Sequence, residues 1–323
     1  MENSNQLSAA NKQHYVLSFN GNGGEYFGIT IVNLLLTVIT LGLYYPWAKA
    51  RQLQFLYGST EFNESRFEFH GTGAEMFKGF LKAILIFAII YATVFLFAYL
   101  NMPFVAISTI YLGLFSIIPL ALHGSYKYRM SRTSWRGIRF GYRGDKGELY
   151  KIFLKGVLLT VVTIGIYGAW LSMNLRNYIL GKIKFGSAKF SYNGDGGIYF
   201  WMNVKGYILT ILTLGVYFFW WQKDVFSYYI NNLKLIHDDQ YIDFKCSATG
   251  GEFFGLLVVN FLILIFTLGI GYPWIVARSL RFIFSKVEIT GNVAFNNLIQ
   301  SEENYTDATG DDMSDMLDLG FVI

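Results

Sequence analysis

The sequence predicts a mainly α-helical membrane protein. The expected fold is a polytopic helical bundle of tandem Gly-Gly-Glu…Thr-Leu-Gly…Trp repeats, with short β-hairpins between the spans. Three observations carry that expectation. The 323 residues are 53% hydrophobic, 19% aromatic and only 15% charged, with a mean hydropathy of +0.36, where a soluble chain averages about 25% charged. The apolar residues form separate runs near the length that crosses a hydrocarbon core, about 20 residues. One segment pattern recurs four times in register.

The runs are 26–47, 77–100, 104–123, 149–170, 199–221 and 253–274. Charge is absent from most of them or confined to their ends, and they lack the polar stripe of a soluble core helix. They divide the chain into a polar N-terminal tail (1–16), a repeat-built transmembrane domain (17–290) and a C-terminal extension (291–323). The first 24 residues are polar, so the first span is expected to act as an uncleaved insertion signal. The chain after Lys286 carries eight acids and no Lys or Arg, and the extension reads as a disordered acidic tail.

The repeat aligns Gly24 with Gly42, Gly147 with Gly165, Gly197 with Gly215 and Gly251 with Gly269, each pair eighteen residues apart. Thr40, Thr163, Thr213 and Thr267 precede the second glycine by two, and Trp47, Trp170, Trp220 and Trp274 follow it by five. Eighteen helical residues rise about 27 Å, near the hydrocarbon thickness. The glycines are therefore expected at the two membrane surfaces, with the aromatic cluster after the second as an interfacial belt. A fifth copy starts at residues 69–75 but lacks the Thr-Leu-Gly ending; a two-span hairpin turned at Asn101-Met102-Pro103 replaces it. Segments such as 60–62 with 66–69, and 182–185 with 189–192, alternate in period two and read as β-hairpins.

Six full spans place both termini on one side. The nine basic residues of 127–155 put that linker in the cytoplasm by the positive-inside rule. The opposite side would then hold Arg176, Lys182, Lys184, Lys189, Arg278, Arg281 and Lys286. Bent or re-entrant Gly–Trp units would relieve that conflict by turning every basic segment to one face.

Chemistry is sparse. His14, His70, His123 and His237 show no metal-ligand spacing, the single Cys246 makes no internal disulfide, and no nucleophile elbow or zinc motif is present. No cofactor and no enzymatic activity are expected. Glu25, Glu75, Glu148 and Glu252 stand at expected helix starts, where the ordinary role is dipole stabilisation of about 0.3–1 kcal/mol; a ring of acids attracting cations is the functional alternative. Asn33 and Asn260, with Thr40, Thr163, Thr213 and Thr267, are candidates for a polar path, or equally for helix–helix packing. The basic block 127–155 suits anionic lipid headgroups beside a bilayer rather than nucleic acid. A homo-oligomer is an open possibility.

The segment Gly-Gly-Glu-Tyr-Phe…Asn…Thr-Leu-Gly-Leu-Tyr-Tyr-Pro-Trp-Ala-Lys-Ala-Arg at 23–51 resembles the YjgN-like family of bacterial inner-membrane proteins, over roughly residues 17–290. Ile198, Ala169, Phe219, Asn174 and Asp224 depart from the pattern. The resemblance implies a multi-pass inner-membrane location and brings no activity or catalytic residues. The leading functional expectation is transport of a small solute or ion, because transporters are commonly built from repeats; the alternative is an envelope scaffold or interaction protein.

Overall fold

The computed structural model describes residues 13–301 and 305–316. The first twelve residues and the apolar C-terminal end (317–323) lie outside the described residues. In place of a polytopic bundle, the chain builds a β-sheet closed nearly into a barrel, with helical hairpins rising from one rim.

The strands are β1 (Gln13–Tyr15), β2 (Leu17–Phe19), β3 (Thr60–Phe62), β4 (Ser65–Phe69), β5 (Thr133–Trp135), β6 (Ile138–Tyr142), β7 (Ile183–Phe185), β8 (Ala188–Tyr192), β9 (Leu233–His237), β10 (Gln240–Cys246) and β11 (Val287–Gly291). All pairings are antiparallel, in the order β1-β11-β10-β9-β8-β7-β6-β5-β4-β3-β2. The two ends of that order belong to one extended segment, 13–19, broken only at Val16. The sheet therefore comes back on itself, and its edges are largely removed.

Side chains from around the sheet converge in one core: Tyr15, Trp135, Phe185, Leu235, Ile242 and Ile289, with Phe62, Phe67 and Phe140 packed against them. Trp135 is 1% exposed, and its indole Nε1 donates to the carbonyls of Phe62 (3.1 Å) and Ser65 (3.0 Å). After β11, residues 292–301 cross this core. Phe295 meets Tyr15 edge-on at 5.2 Å and Trp135 at 5.3 Å, and Ser301 Oγ donates to the Gly186 carbonyl at 2.6 Å. Side chains fill the barrel, so it is not a channel.

The register decides the topology. Phe19 pairs Thr60, Phe69 pairs Thr133, Tyr142 pairs Ile183, Tyr192 pairs Leu233 and Cys246 pairs Val287. Each of these pairs is joined by a helical connection, which must leave and return at the same rim. The tight turns, with left-handed Asn63, Glu64, Arg136, Gly137, Gly186 and Asp238, occupy the opposite rim.

The helical pairs are α1 (Gly23–Ile39) with α2 (Tyr45–Gly58), α3 (Gly73–Tyr99) with α4 (Pro103–Arg132), α5 (Lys146–Val162) with α6 (Gly168–Gly181), α7 (Gly196–Leu212) with α8 (Phe218–Asn231), and α9 (Gly250–Phe266) with α10 (Tyr272–Ser285). A last helix, α11 (Thr309–Met316), follows the barrel core segment. The expected spans 26–47, 149–170, 199–221 and 253–274 are thus each broken in two. A 17-residue helix stops, the chain reverses, and a 14-residue helix returns. Among the described residues, only α3 (27 residues) and α4 (30 residues) are long and apolar enough to cross a membrane.

The reversal is written in Thr-Leu-Gly. Leu41, Ile164, Leu214 and Leu268 have φ of 51°, 51°, 49° and 50°, and the following glycines 91°, 92°, 94° and 87°. Two successive left-handed residues end a helix, and glycine takes the second without a Cβ clash. Glycine at the end of an eighteen-residue run is compatible with either a membrane surface or a hairpin tip, and here it makes the tip.

The tryptophans are seams between hairpins. A Cβ on Gly73 would lie 2.3 Å from Trp47, on Gly196 2.4 Å from Trp170, on Gly250 2.2 Å from Trp220, and on Gly23 2.5 Å from Trp274. Each indole therefore rests on the first glycine of the next hairpin, and the last closes the ring onto the first. The α3–α4 pair supplies no such tryptophan, and the next hairpin starts with Lys146 where the others start with glycine.

Candidate functional site

The sequence-derived polar candidates do not converge. Each threonine staples its own hairpin tip. Thr40 Oγ1 donates to the Leu36 carbonyl (2.7 Å) and accepts from Tyr44 N (2.9 Å). Thr163, Thr213 and Thr267 make the same two bonds at 2.6–2.9 Å. Asn33 Nδ2 donates to the Ala48 carbonyl at 3.0 Å and Asn260 Nδ2 to Ser279 Oγ at 2.9 Å, each across one hairpin. At the equivalent position Gly156 fits against Leu171 and Gly206 against Trp221. These are helix-crossing points.

The glutamates also stay at their own helix starts. Glu252 forms a capping box with Thr249 and pairs with Lys286 at 2.5 Å. Glu148 lies 3.8 Å from Lys182, and Glu25 is exposed. No group of three or more His, Cys, Asp or Glu arranged for a metal occurs among the described residues.

What the tertiary structure does assemble is a buried charge cluster between α2, α3, α4 and α11. Asp311 is fully buried. Ser125 Oγ donates to its Oδ1 at 2.9 Å, Arg129 Nε donates to the same oxygen, and Lys49 Nζ lies 3.6 Å from its Oδ2. Beside it Asp312 is 1% exposed, with neither oxygen hydrogen-bonded among the described residues. Gly79 makes room, since a Cβ there would sit 2.3 Å from Asp312 Oδ2.

Next to this lies a second pair. Arg132, 6% exposed, donates twice to Glu75, and Tyr128 OH donates to Glu75 Oε2 at 3.2 Å. Lys82 meets Asp307 at 3.2 Å, Ser131 Oγ donates to the Tyr305 carbonyl at 3.0 Å, and Lys127 lies 4.4 Å over the Tyr305 ring. Lys127, Arg129 and Arg132 of the basic block 127–155 are therefore engaged inside the protein. The tail expected to be disordered is, in its described parts, core filler at 292–301 and a docked helix at 309–316.

The two aspartates titrate in opposite senses. Burial favours the neutral form of Asp311, but Lys49 and Arg129 outweigh it and hold its carboxyl below the usual carboxylate range. Asp312 is pushed up to about 8, first by burial and then by the like charge of Asp311. The cluster can thus hold one proton near neutral pH on a helix anchored by ion pairs. Nothing in the sequence marked this pairing, because Lys49, Arg129 and Asp311 are far apart in the chain.

The chain has relatives. The inner membrane protein YjgN of Salmonella typhimurium is 30% identical over 165 residues, covering 50% of this chain and 40% of that protein. The protein of that name from Escherichia coli O157:H7 is 33% identical over 144 residues, covering 44% and 35%. The chain thus spans less than half the length of the curated relatives it matches. No solved structure matches it significantly. The model of a family described as bacterial proteins of unknown function matches residues 14–197 and 221–316, reaching from the first strand through the docked α11, and the chain belongs to that family, DUF898.

Proposed function

We propose that this chain is a non-enzymatic inner-membrane platform whose helical hairpins enter the bilayer from one face and hold the β-barrel on the cytoplasmic surface. The observation that carries the reading is the shared rim, from which every helical connection leaves and to which it returns. The names of the relatives support an inner-membrane location. The α3–α4 hairpin crosses and comes back; at 1.5 Å per residue its helices reach about 40 Å. The shorter hairpins dip in beside it and end in tips where Leu41, Ile164, Leu214 and Leu268 are 91–96% exposed, a surface that calls for lipid.

This arrangement also relieves the charge conflict in the sequence. Arg66, Arg136, Lys184, Lys189, Lys234 and Lys245 all sit on strands or turns of the barrel, which the positive-inside rule places in the cytoplasm. A filled barrel and separated polar candidates favour a scaffold over a transport path.

Single-cysteine accessibility tests this. In a Cys246→Ser background, cysteines at Glu64, Arg136, Ser187 and Asp238 are expected to resist an impermeant thiol reagent in intact cells and to react in inverted vesicles. Labelling of Ser187 but not Glu64 from outside would restore alternating full spans and sink the proposal.

A further inference from the structure

The α7–α8 and α9–α10 hairpins carry the same groove with different chemistry. In the first, Ile198, Trp201, Lys205, Asp224 and Tyr228 line it. In the second, the residues in register are Glu252, Gly255, Val259, Arg278 and Phe282. The second groove has a volume of about 480 Å³. Through Arg281 and Ser285 it adjoins a recess of about 330 Å³ lined by Ser18 and Asn20.

Its charge is unbalanced. Glu252 is neutralised by Lys286 at 2.5 Å. Arg281 uses one Nη2 hydrogen on the Gly21 carbonyl, at 3.0 Å, a seam bond that Gln54 and Asn177 make to Gly71 and Gly194 in other hairpins. Arg278, an exposed residue one helical turn away, has no ion-pair or hydrogen-bond partner among the described residues. Leu256, Val259 and Phe282 form an apolar wall beside the two guanidinium groups.

We infer that the α9–α10 groove binds the phosphate of an anionic phospholipid headgroup, with Arg278 and the free donors of Arg281 on the phosphate and the first acyl carbons along Leu256, Val259 and Phe282. The inference rests on the bilayer placement of the hairpins. An unpartnered arginine on a lipid-facing helix is costly, and a guanidinium matches phosphate oxygens with two parallel donors. A membrane headgroup brings that anion at the depth where α10 meets the barrel. The α7–α8 groove, with Asp224 in place of Arg278, lacks the matching charge and serves as an internal contrast.

The test is native mass spectrometry of the detergent-solubilised full chain with phosphatidylglycerol or phosphatidylcholine of equal acyl length. The unaltered chain is expected to retain one phosphatidylglycerol preferentially. Losing one charge-assisted contact in Arg278→Gln should lower that retention about tenfold. Val259→Trp, which fills the groove and keeps both arginines, should lower it too, whereas Lys189→Gln on the barrel should not. Equal retention of the two lipids, or an unaffected Arg278→Gln, overturns the site and leaves the bilayer placement standing. Failure to hold either lipid counts against the bilayer placement itself. Displacement of phosphatidylglycerol by inorganic phosphate alone overturns the lipid assignment in favour of a soluble phosphate.

Discussion

Replacing Asp311 by asparagine keeps the side-chain shape and removes one charge from the centre of the buried cluster. Arg129 and Lys49 then face an amide in a site from which water is excluded. Breaking a buried ion pair from one side costs about 3–5 kcal/mol, mostly through the charge left behind. Against that, the apolar anchorage among the described residues is small, with Met313 on α11 and Ala308 just before it the buried apolar side chains, and burial of a methionine contributes about 1.5–3 kcal/mol. The cheaper outcome is for α11 to leave its cleft, letting Lys49 and Arg129 reach water. Hydrogen exchange read by mass spectrometry is the assay. Asp311→Asn is expected to deprotect the amides of α11 and of the α3 face around Met76–Ala83, while the barrel strands stay protected. A change in α11 exchange below about tenfold, equivalent to about 1.4 kcal/mol, would refute the idea that the ion pairs hold the helix.

Docking should also depend on pH through Asp312, whose carboxyl binds its proton more tightly docked (about 8) than at its ordinary value of 3.8. Between those values the docked state holds the extra proton, so docking weakens as pH rises, by at most about 1.4 kcal/mol per unit for one proton. Asp311 acts oppositely, its contribution being lost only as pH falls through the acid range. Asp312→Asn is expected to flatten the decline above about pH 5, measured by α11 exchange across the pH series; an unchanged slope would remove Asp312 from the account. Asn33→Leu removes the cross-helix bond to the Ala48 carbonyl, which keeps its partner within its own helix, and should cost about 0.5–1.5 kcal/mol in thermal stability. Stability equal to the unaltered chain would show that water or relaxation replaces that bond.

Part of this architecture was legible in the chain. The apolar runs, the fixed Thr-Leu-Gly spacing and the alternating segments such as 60–69 and 183–192 belong to residues close in sequence, where local backbone preference and side-chain period act directly. The same local signals left the direction of the chain open. Gly42 after Thr40-Leu41 ends a helix whether the next helix continues outward or doubles back, and Trp47 looks like an interfacial residue until Gly73 is found beneath it. What decided between spans and hairpins was strand register: Phe69 opposite Thr133, and Tyr142 opposite Ile183, force both ends of a connection to one rim. Pairings like Arg129 with Asp311, or Trp274 with Gly23, join residues more than 180 positions apart. Their energies exist only once the ring closes, so composition and periodicity carry no trace of them.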